Sequence, residues 1–403
     1  MVTPTPTVAK IAPPPTNPLE APDSVGKRMA TDKLTQLISV GEQAQTEIIQ
    51  KMLAMSITDK LVDPRLMLIE ESNKGLAVRY PVGTPDVVEI DDNALGQLCK
   101  TARIPKTYMN ELLTGCVGMS EPIRQHLACY LLNTHYQRGV FTDKRGNPTK
   151  FLHRIVGKSL YGFLSRNYNR KLGTSAMLRP FIEQCYANGA RPVDAQCNPI
   201  RAVLKCVQPI IYEPVPGEFI AFGATYTNSD FGKGSLLVHG TLLRISSGTS
   251  AVLESRLKKI HLGAVISEEE IELSEETLAK ESETHISAVK DMVTDVFSET
   301  SITRSLKLVE LSITRKLSWN QVLGQVKELL HQDEVSSMHE MLLGTKGGIV
   351  DLPPVTVNDK GDPEANAWWT AAALGVIASR VEDVDRRAGI QELAGRVLKK
   401  EKE

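Results

Sequence analysis

Between Arg103 and Arg179 the chain carries thirteen basic residues, opposed only by Glu111, Glu121 and Asp143. A local surplus of this kind suits contact with phosphates, because each neutralised phosphate releases counterions and supplies affinity independent of base sequence. Tyr161, Phe163 and Tyr168 are interleaved with these cations, the arrangement that a single-strand stacking platform needs. The residues that such an interface would use are Arg154, Lys158, Arg166, Arg170, Lys171 and Lys233 for phosphate, with Tyr161 and Tyr168 for stacking. Two plainer readings compete. The cations can form a solvated face that neutralises acidic helices elsewhere. Strand alternation also puts Tyr161 and Phe163 on one face, which is more often core than binding surface.

Other chemistry-bearing patterns are weak. There is no G-x-x-x-x-G-K-[ST] loop, G-x-G-x-x-G, H-E-x-x-H or G-x-S-x-G, so the usual signatures of nucleotide, zinc-protease and serine-hydrolase chemistry are missing. Phe231-Gly232-Lys233-Gly234-Ser235 is glycine-rich but joins two strand-like runs, so it reads as a hairpin turn whose Lys233 can touch phosphate. His331 and His339, beside Asp333, Glu334 and Glu340, read as a solvated helix face. His239 reads as a structural histidine in a strand, and His261 as a phosphate or core contact. The six cysteines have no C-x-x-C pair and read as small buried apolar residues of a reducing compartment. Glu268, Glu269, Glu270, Glu272, Glu275 and Glu276 point around a helix in different directions and read as a solvated helix start. No catalytic residue, metal ligand or cofactor is assigned, and the chain is expected to bind rather than catalyse.

The elements that must hold these residues follow from periodicity. The whole chain has 403 residues and a net charge of −1, room for two or three domains. Residues 1–30, rich in Pro and Thr, read as a flexible tail. The 31–150 stretch reads as an α/β segment: a helix from Thr31 to about Met55, weakened by Gly41, a hairpin around Asn73-Lys74-Gly75, a strand Val87–Ile90, a helix starting at Asp91-Asp92-Asn93, another opened by Pro105, and a third from Ile123 to His135.

The 151–262 stretch reads as the central basic β-rich domain. It has an extended run from His153 to Tyr168 turning near Gly157-Lys158, then a helix Ser175–Asn188 ended by Gly189. Three strand-like runs follow, Ala202–Ile211, Glu218–Tyr226 and Ser235–Ile245, separated by turn residues, which predicts an antiparallel meander. A helix is expected from Ala251 to Ile260. Residues 263–403 read as helical, broken between Gly344 and Asp362, with a last segment from Glu364 to Lys400. The predicted fold is α+β: a central antiparallel β-meander with flanking helices and a mainly helical C-terminal region. No apolar run reaches the ~18–20 residues that span a bilayer, and no signal-peptide core is visible, so no membrane contact is expected.

The ordered segments ALGQLCKTARIPKTYMNELL, YGFLSRNYNRKLG, FIAFGATYTNSDFGKGSLLVHGTLLRISSGT and ANAWWTAAALGVIASRVED resemble the phage- and plasmid-like proteins grouped as domain of unknown function 932. The resemblance covers about residues 60–400. The family's LS..Y element matches Leu164-Ser165-Arg166-Asn167-Tyr168, its NS..G element Asn228-Ser229-Asp230-Phe231-Gly232, and its R..C.N element Arg244. Ile245-Ser246-Ser247-Gly248 departs from that last pattern.

The resemblance implies a mobile-element origin and the cytoplasm of a bacterial host. The three-strand meander followed by a helix is also similar to the core of phage single-strand annealing proteins, a likeness of fold and not of function. Two functions are carried forward. One is a single-stranded-DNA-binding protein, as in recombination or annealing, acting as a homo-oligomer. The other is a phage structural or interaction protein that meets a protein partner through the N-terminal tail or the C-terminal helices.

Overall fold

The computed structural model describes residues 25–80, 87–115, 118–139, 141, 149–166, 168, 172–259, 274–344, 356–357 and 361–399. The chain opens with α1 (Val25–Ala54). A first sheet follows, built from β1 (Ile57–Val62), β2 (Leu68–Ser72), β3 (Gly75–Arg79) and β4 (Val87–Ile90). Three helices come next, α2 (Asp92–Ala102), α3 (Lys106–Thr114) and α4 (Glu121–Arg138), and the sheet is completed by β5 (Phe151–Val156) and β6 (Ser159–Ser165). Its strand order is β1-β5-β6-β4-β3-β2, antiparallel apart from the parallel β4–β6 pair. Residues on both sides of position 150 therefore share one sheet.

After α5 (Thr174–Ala187) comes an antiparallel sheet: β7 (Arg191–Cys197), β8 (Arg201–Val207), β9 (Tyr212–Val215), β10 (Glu218–Ser229), β11 (Leu236–Arg244) and β12 (Thr249–Lys259). The order is β12-β11-β10-β8-β7, with β9 also beside β10. The last third contains α6 (Glu275–Val296), α7 (Glu299–Thr314), β13 (Lys316–Leu317), α8 (Trp319–Val326), α9 (Gln332–Leu343), β14 (Thr356–Val357), β15 (Pro363–Asn366), α10 (Ala367–Arg380) and α11 (Val384–Leu398). The fold is α+β, with antiparallel and mixed sheets and a C-terminal run of helices.

Local chemistry explains the boundaries. The Asp91 carboxylate accepts the Asn93 amide and caps α2, and Ser318 with Gln321 forms a capping box on α8. Gly75 and Gly157 sit at φ 119° and 59° in the two hairpin turns of the first sheet, conformations that a side chain disfavours. Helix α1 runs unbroken through Gly41, where the backbone of Pro192 occupies the place a Cβ would take. The glycine that weakens the helix on propensity is what lets α1 lie against β7. The same helix already includes residues 25–30, which the sequence reading put in the tail; residues 1–24 lie outside the described residues.

The meander is present as β8, β10 and β11. The helix expected over Ala251–Ile260 is instead strand β12, paired with β11 from Arg244↔Thr249 to Leu236↔Lys259. The turn between them, with Gly248 at φ 66°, folds the chain straight back. Ala251 and Leu253 then join the core under the C-terminal helices, so tertiary burial overrides the helical spacing.

One face of the second sheet carries Leu204, Cys206 and Tyr226 against α5 and α6, and Phe222 and Leu242 against the C-terminal helices. Its other face carries Val207, Ala221 and Leu243 against Leu34 of α1. The first sheet packs on α2 to α4 through Val78, Leu98, Leu132 and Tyr136. No helix among the described residues is long and apolar enough to cross a membrane.

Candidate nucleic-acid interface

The β10–β11 connection, Asp230 to Ser235, is where most of the elements meet. Asn93 Nδ2 and Gln97 Nε2 of α2 both donate to the Phe231 carbonyl, at 2.9 and 2.7 Å. Asp230 accepts the Thr174 amide at the start of α5 (2.8 Å). The Ser229 hydroxyl accepts the amides of Phe231 and Lys233, and Asn228 donates to the Leu172 carbonyl (2.8 Å). Arg201 donates to the Lys233 carbonyl (2.8 Å) and pairs with Asp385 of α11 (2.7 Å). Gly232 and Gly234 take φ 74° and 123°, and at both places a neighbouring side chain fills the space of a Cβ. The loop is a structural junction of the two sheets, α5 and α11.

That junction absorbs several residues expected to bind nucleic acid. Arg154 is buried: its Nε donates to Asp59 (2.9 Å), its Nη1 to the Asp230 carbonyl (2.5 Å), and its guanidinium lies near the rings of Tyr168 and Phe231. Tyr168 is buried and its hydroxyl donates to the Ser229 carbonyl at 2.9 Å. Lys233 Nζ pairs with Asp385 at 2.7 Å. Arg154 and Tyr168 therefore spend their charge and ring face inside the protein, and Lys233, 40% exposed, is engaged in an ion pair, partners that separation in sequence hides.

Tyr161 is half-buried, its ring 5.4 Å from that of Phe231; burial, then the charge of Asp91, push its phenol pKa up. Tyr161 and Tyr168 thus form no open stacking platform. Phe163, the third ring, is core, stacked on Phe151 with centroids 4.6 Å apart.

Lys158 and Arg166 are exposed. They lie at opposite ends of β6, because Ser159 pairs with Val156 and Ser165 with Phe151. Arg170 and Lys171 lie outside the described residues, as does His261.

The register places one further cation. The Phe151–Ser165 pair ends the register, so exposed Lys150 and exposed Arg166 flank the same end of the first sheet. Asp63, at the end of β1, is close enough to feel the charge of Lys150. Its carboxyl is held below the usual range first by the hydrogen bond from Arg65, burial opposing. Lys150 belongs to the basic stretch, but nothing in its spacing marks it; only the strand register does. Among the described residues no cluster of His, Cys, Asp and Glu is placed to hold a metal. No family model, no curated protein and no solved structure matches the chain.

Proposed function

We propose that the chain is a phage- or plasmid-borne protein that binds single-stranded nucleic acid through backbone phosphates. The reading is supported above all by the placement of exposed Lys150 and Arg166 at the same end of the first sheet. Arg170 and Lys171 follow Arg166 closely in sequence. With Tyr168 buried and Tyr161 half-buried against Phe231, contact is electrostatic and tolerant of sequence, and stacking contributes little. Affinity for a labelled single-stranded oligonucleotide, read by fluorescence anisotropy, is then expected to fall by orders of magnitude between ~50 and ~200 mM salt. Lys150→Ala with Arg166→Ala removes two contacts and lowers the slope of log K against log salt by roughly 1.4, about 0.7 for each contact on a single strand. Equal affinity in the double variant, or no binding at low salt, rejects this reading.

A second reading, a structural or interaction protein that meets a protein partner, is favoured by Val25, Met29, Val40 and Leu53, large apolar side chains left exposed along α1. Absence of oligonucleotide binding at low salt, together with loss of a co-purifying protein partner on changing Met29 and Val40 to Glu, supports the second.

A further inference from the structure

Four adjacent strands of the second sheet carry polar side chains in one row. Thr225 of β10 lies opposite His239 of β11 and Lys205 of β8, and Lys205 lies opposite Asp194 of β7. Directly opposed residues share a sheet face, and this is the face that α1 covers. A sheet face inside a protein is ordinarily apolar; a row of His, Thr, Lys and Asp there costs desolvation unless each group is met. Lys205 is met, its Nζ 2.7 Å from the Asp194 carboxylate, and the Thr225 and Thr241 hydroxyls meet each other at 2.5 Å.

Beside this row is a partly open cavity of about 200 Å³ between the sheet, α1, α10 and α11. Its polar lining includes Asp194, Lys205, Thr241, Ser250, Arg387 and Gln391. Leu37, Val207 and Leu243 supply apolar wall. Ser250 and Gln391 are 8% and 7% exposed, so each is more than nine-tenths buried. Among the described residues neither side chain makes a hydrogen bond within the protein. A hydroxyl and an amide on nearly buried residues, lining a shared cavity and unmet by the chain, are placed to meet something that enters it. The charges in the lining are Lys205 and Arg387 against Asp194, a surplus of one positive charge. The Asp194 carboxyl is desolvated by burial, yet the Lys205 ammonium, hydrogen bonds from Lys205 and Gln196, and the charge of Arg387 together hold its pKa below the usual value.

We propose that this cavity is a binding site for a small oxyanion, a carboxylate or a phosphate, whose charge is met by Arg387, the cation that Asp194 leaves uncompensated once Lys205 is paired with it, and whose oxygens are met by Ser250 and the Gln391 amide. The site is separate from the basic end of the first sheet and does not depend on the nucleic-acid reading.

The test uses the full-length chain, with sodium phosphate, sodium acetate and sodium chloride at matched ionic strength, followed by thermal melting and calorimetric titration. Binding to the native state alone raises Tm with ligand concentration. One of the two oxyanions is expected to raise Tm above the chloride control, and which one does so assigns the phosphate or the carboxylate class. Gln391→Leu keeps most of the volume and removes the amide. It is expected to weaken that oxyanion at least tenfold while leaving the Tm in chloride unchanged or higher, since an unmet buried amide is replaced by an apolar group. Ser250→Ala, a smaller change, is expected to weaken it in the same direction. The proposal is overturned if neither oxyanion shifts Tm beyond chloride, which leaves a hydrated cavity only, or if both variants bind as tightly as the parent.

Discussion

The Tyr168 hydroxyl donates to the backbone carbonyl of Ser229 at 2.9 Å, 61 residues away in sequence. The contact joins the LSRNY and NSDFG segments, so two motifs that look like separate functional elements in the sequence form one structural junction. Tyr168→Phe leaves a buried carbonyl with one partner fewer. We expect a loss of about 1–3 kcal/mol in urea unfolding and an unchanged affinity for single-stranded oligonucleotide. A tyrosine that stacked on bases would give the opposite pattern, large loss of binding with little loss of stability.

Arg244 and Glu218 form a buried bidentate pair, at 2.6 and 3.1 Å, under the ring of Trp369. Removing one partner leaves a buried charge unmet, which costs about 3–5 kcal/mol, whereas removing both costs much less. Arg244→Met alone is expected to unfold at markedly lower denaturant than Arg244→Met with Glu218→Gln. Equal losses in the single and double variants would mean that the guanidinium matters through its packing on Trp369 and not through the pair.

The α+β class, the meander and most helix positions are legible in the sequence because they depend on local periodicity and turn residues. What distant chain decides is not. The 251–260 segment has helical spacing but lies beside β11, and a strand position there has neighbours to pair with on one side and helices to cover the other. Arg154 and Lys233 look like free cations in sequence because their partners, Asp59 and Asp385, are 95 and 152 positions away. Gln391 and Ser250 carry no signal at all in sequence; only the packing of α11 over the sheet makes them face a common cavity.

Acid should destabilise the fold through two buried histidines. Burial, then Lys60, pushes the His153 pKa down to about 3, and burial pushes that of His239 down to about 4. Each stays neutral in the folded state while the unfolded chain takes up a proton near its ordinary pKa of about 6.5. The unfolded state therefore binds more protons below that pH. Stability is full above about pH 6.5 and declines as pH falls towards 4 and 3, by about 1.4 kcal/mol per pH unit for each histidine. Urea midpoints measured from pH 7.5 down to 5 should fall, and His239→Gln should flatten the curve. A midpoint constant over that range would mean that both histidines reach solvent in the native state.

Two glycines of α11 make opposite predictions from the same helix. A Cβ at Gly395 would run into the backbone carbonyl of Val252 on β12, so the helix can lie this close to the strand only because position 395 has no side chain. At Gly389 the nearest atom a Cβ would meet is Leu329 Cδ2 at 3.9 Å, an ordinary contact. Replacing a helical glycine by alanine gains roughly 0.5–1 kcal/mol when nothing is in the way, so Gly389→Ala should raise Tm. Gly395→Ala must instead push α11 off β12, and overpacking of this kind costs about 1–3 kcal/mol, more than the helical gain. Thermal melts of the two single variants read both signs at once. If Gly395→Ala also raised Tm, α11 would not be seated on β12, and the cavity that α11 helps to line would not exist in this form.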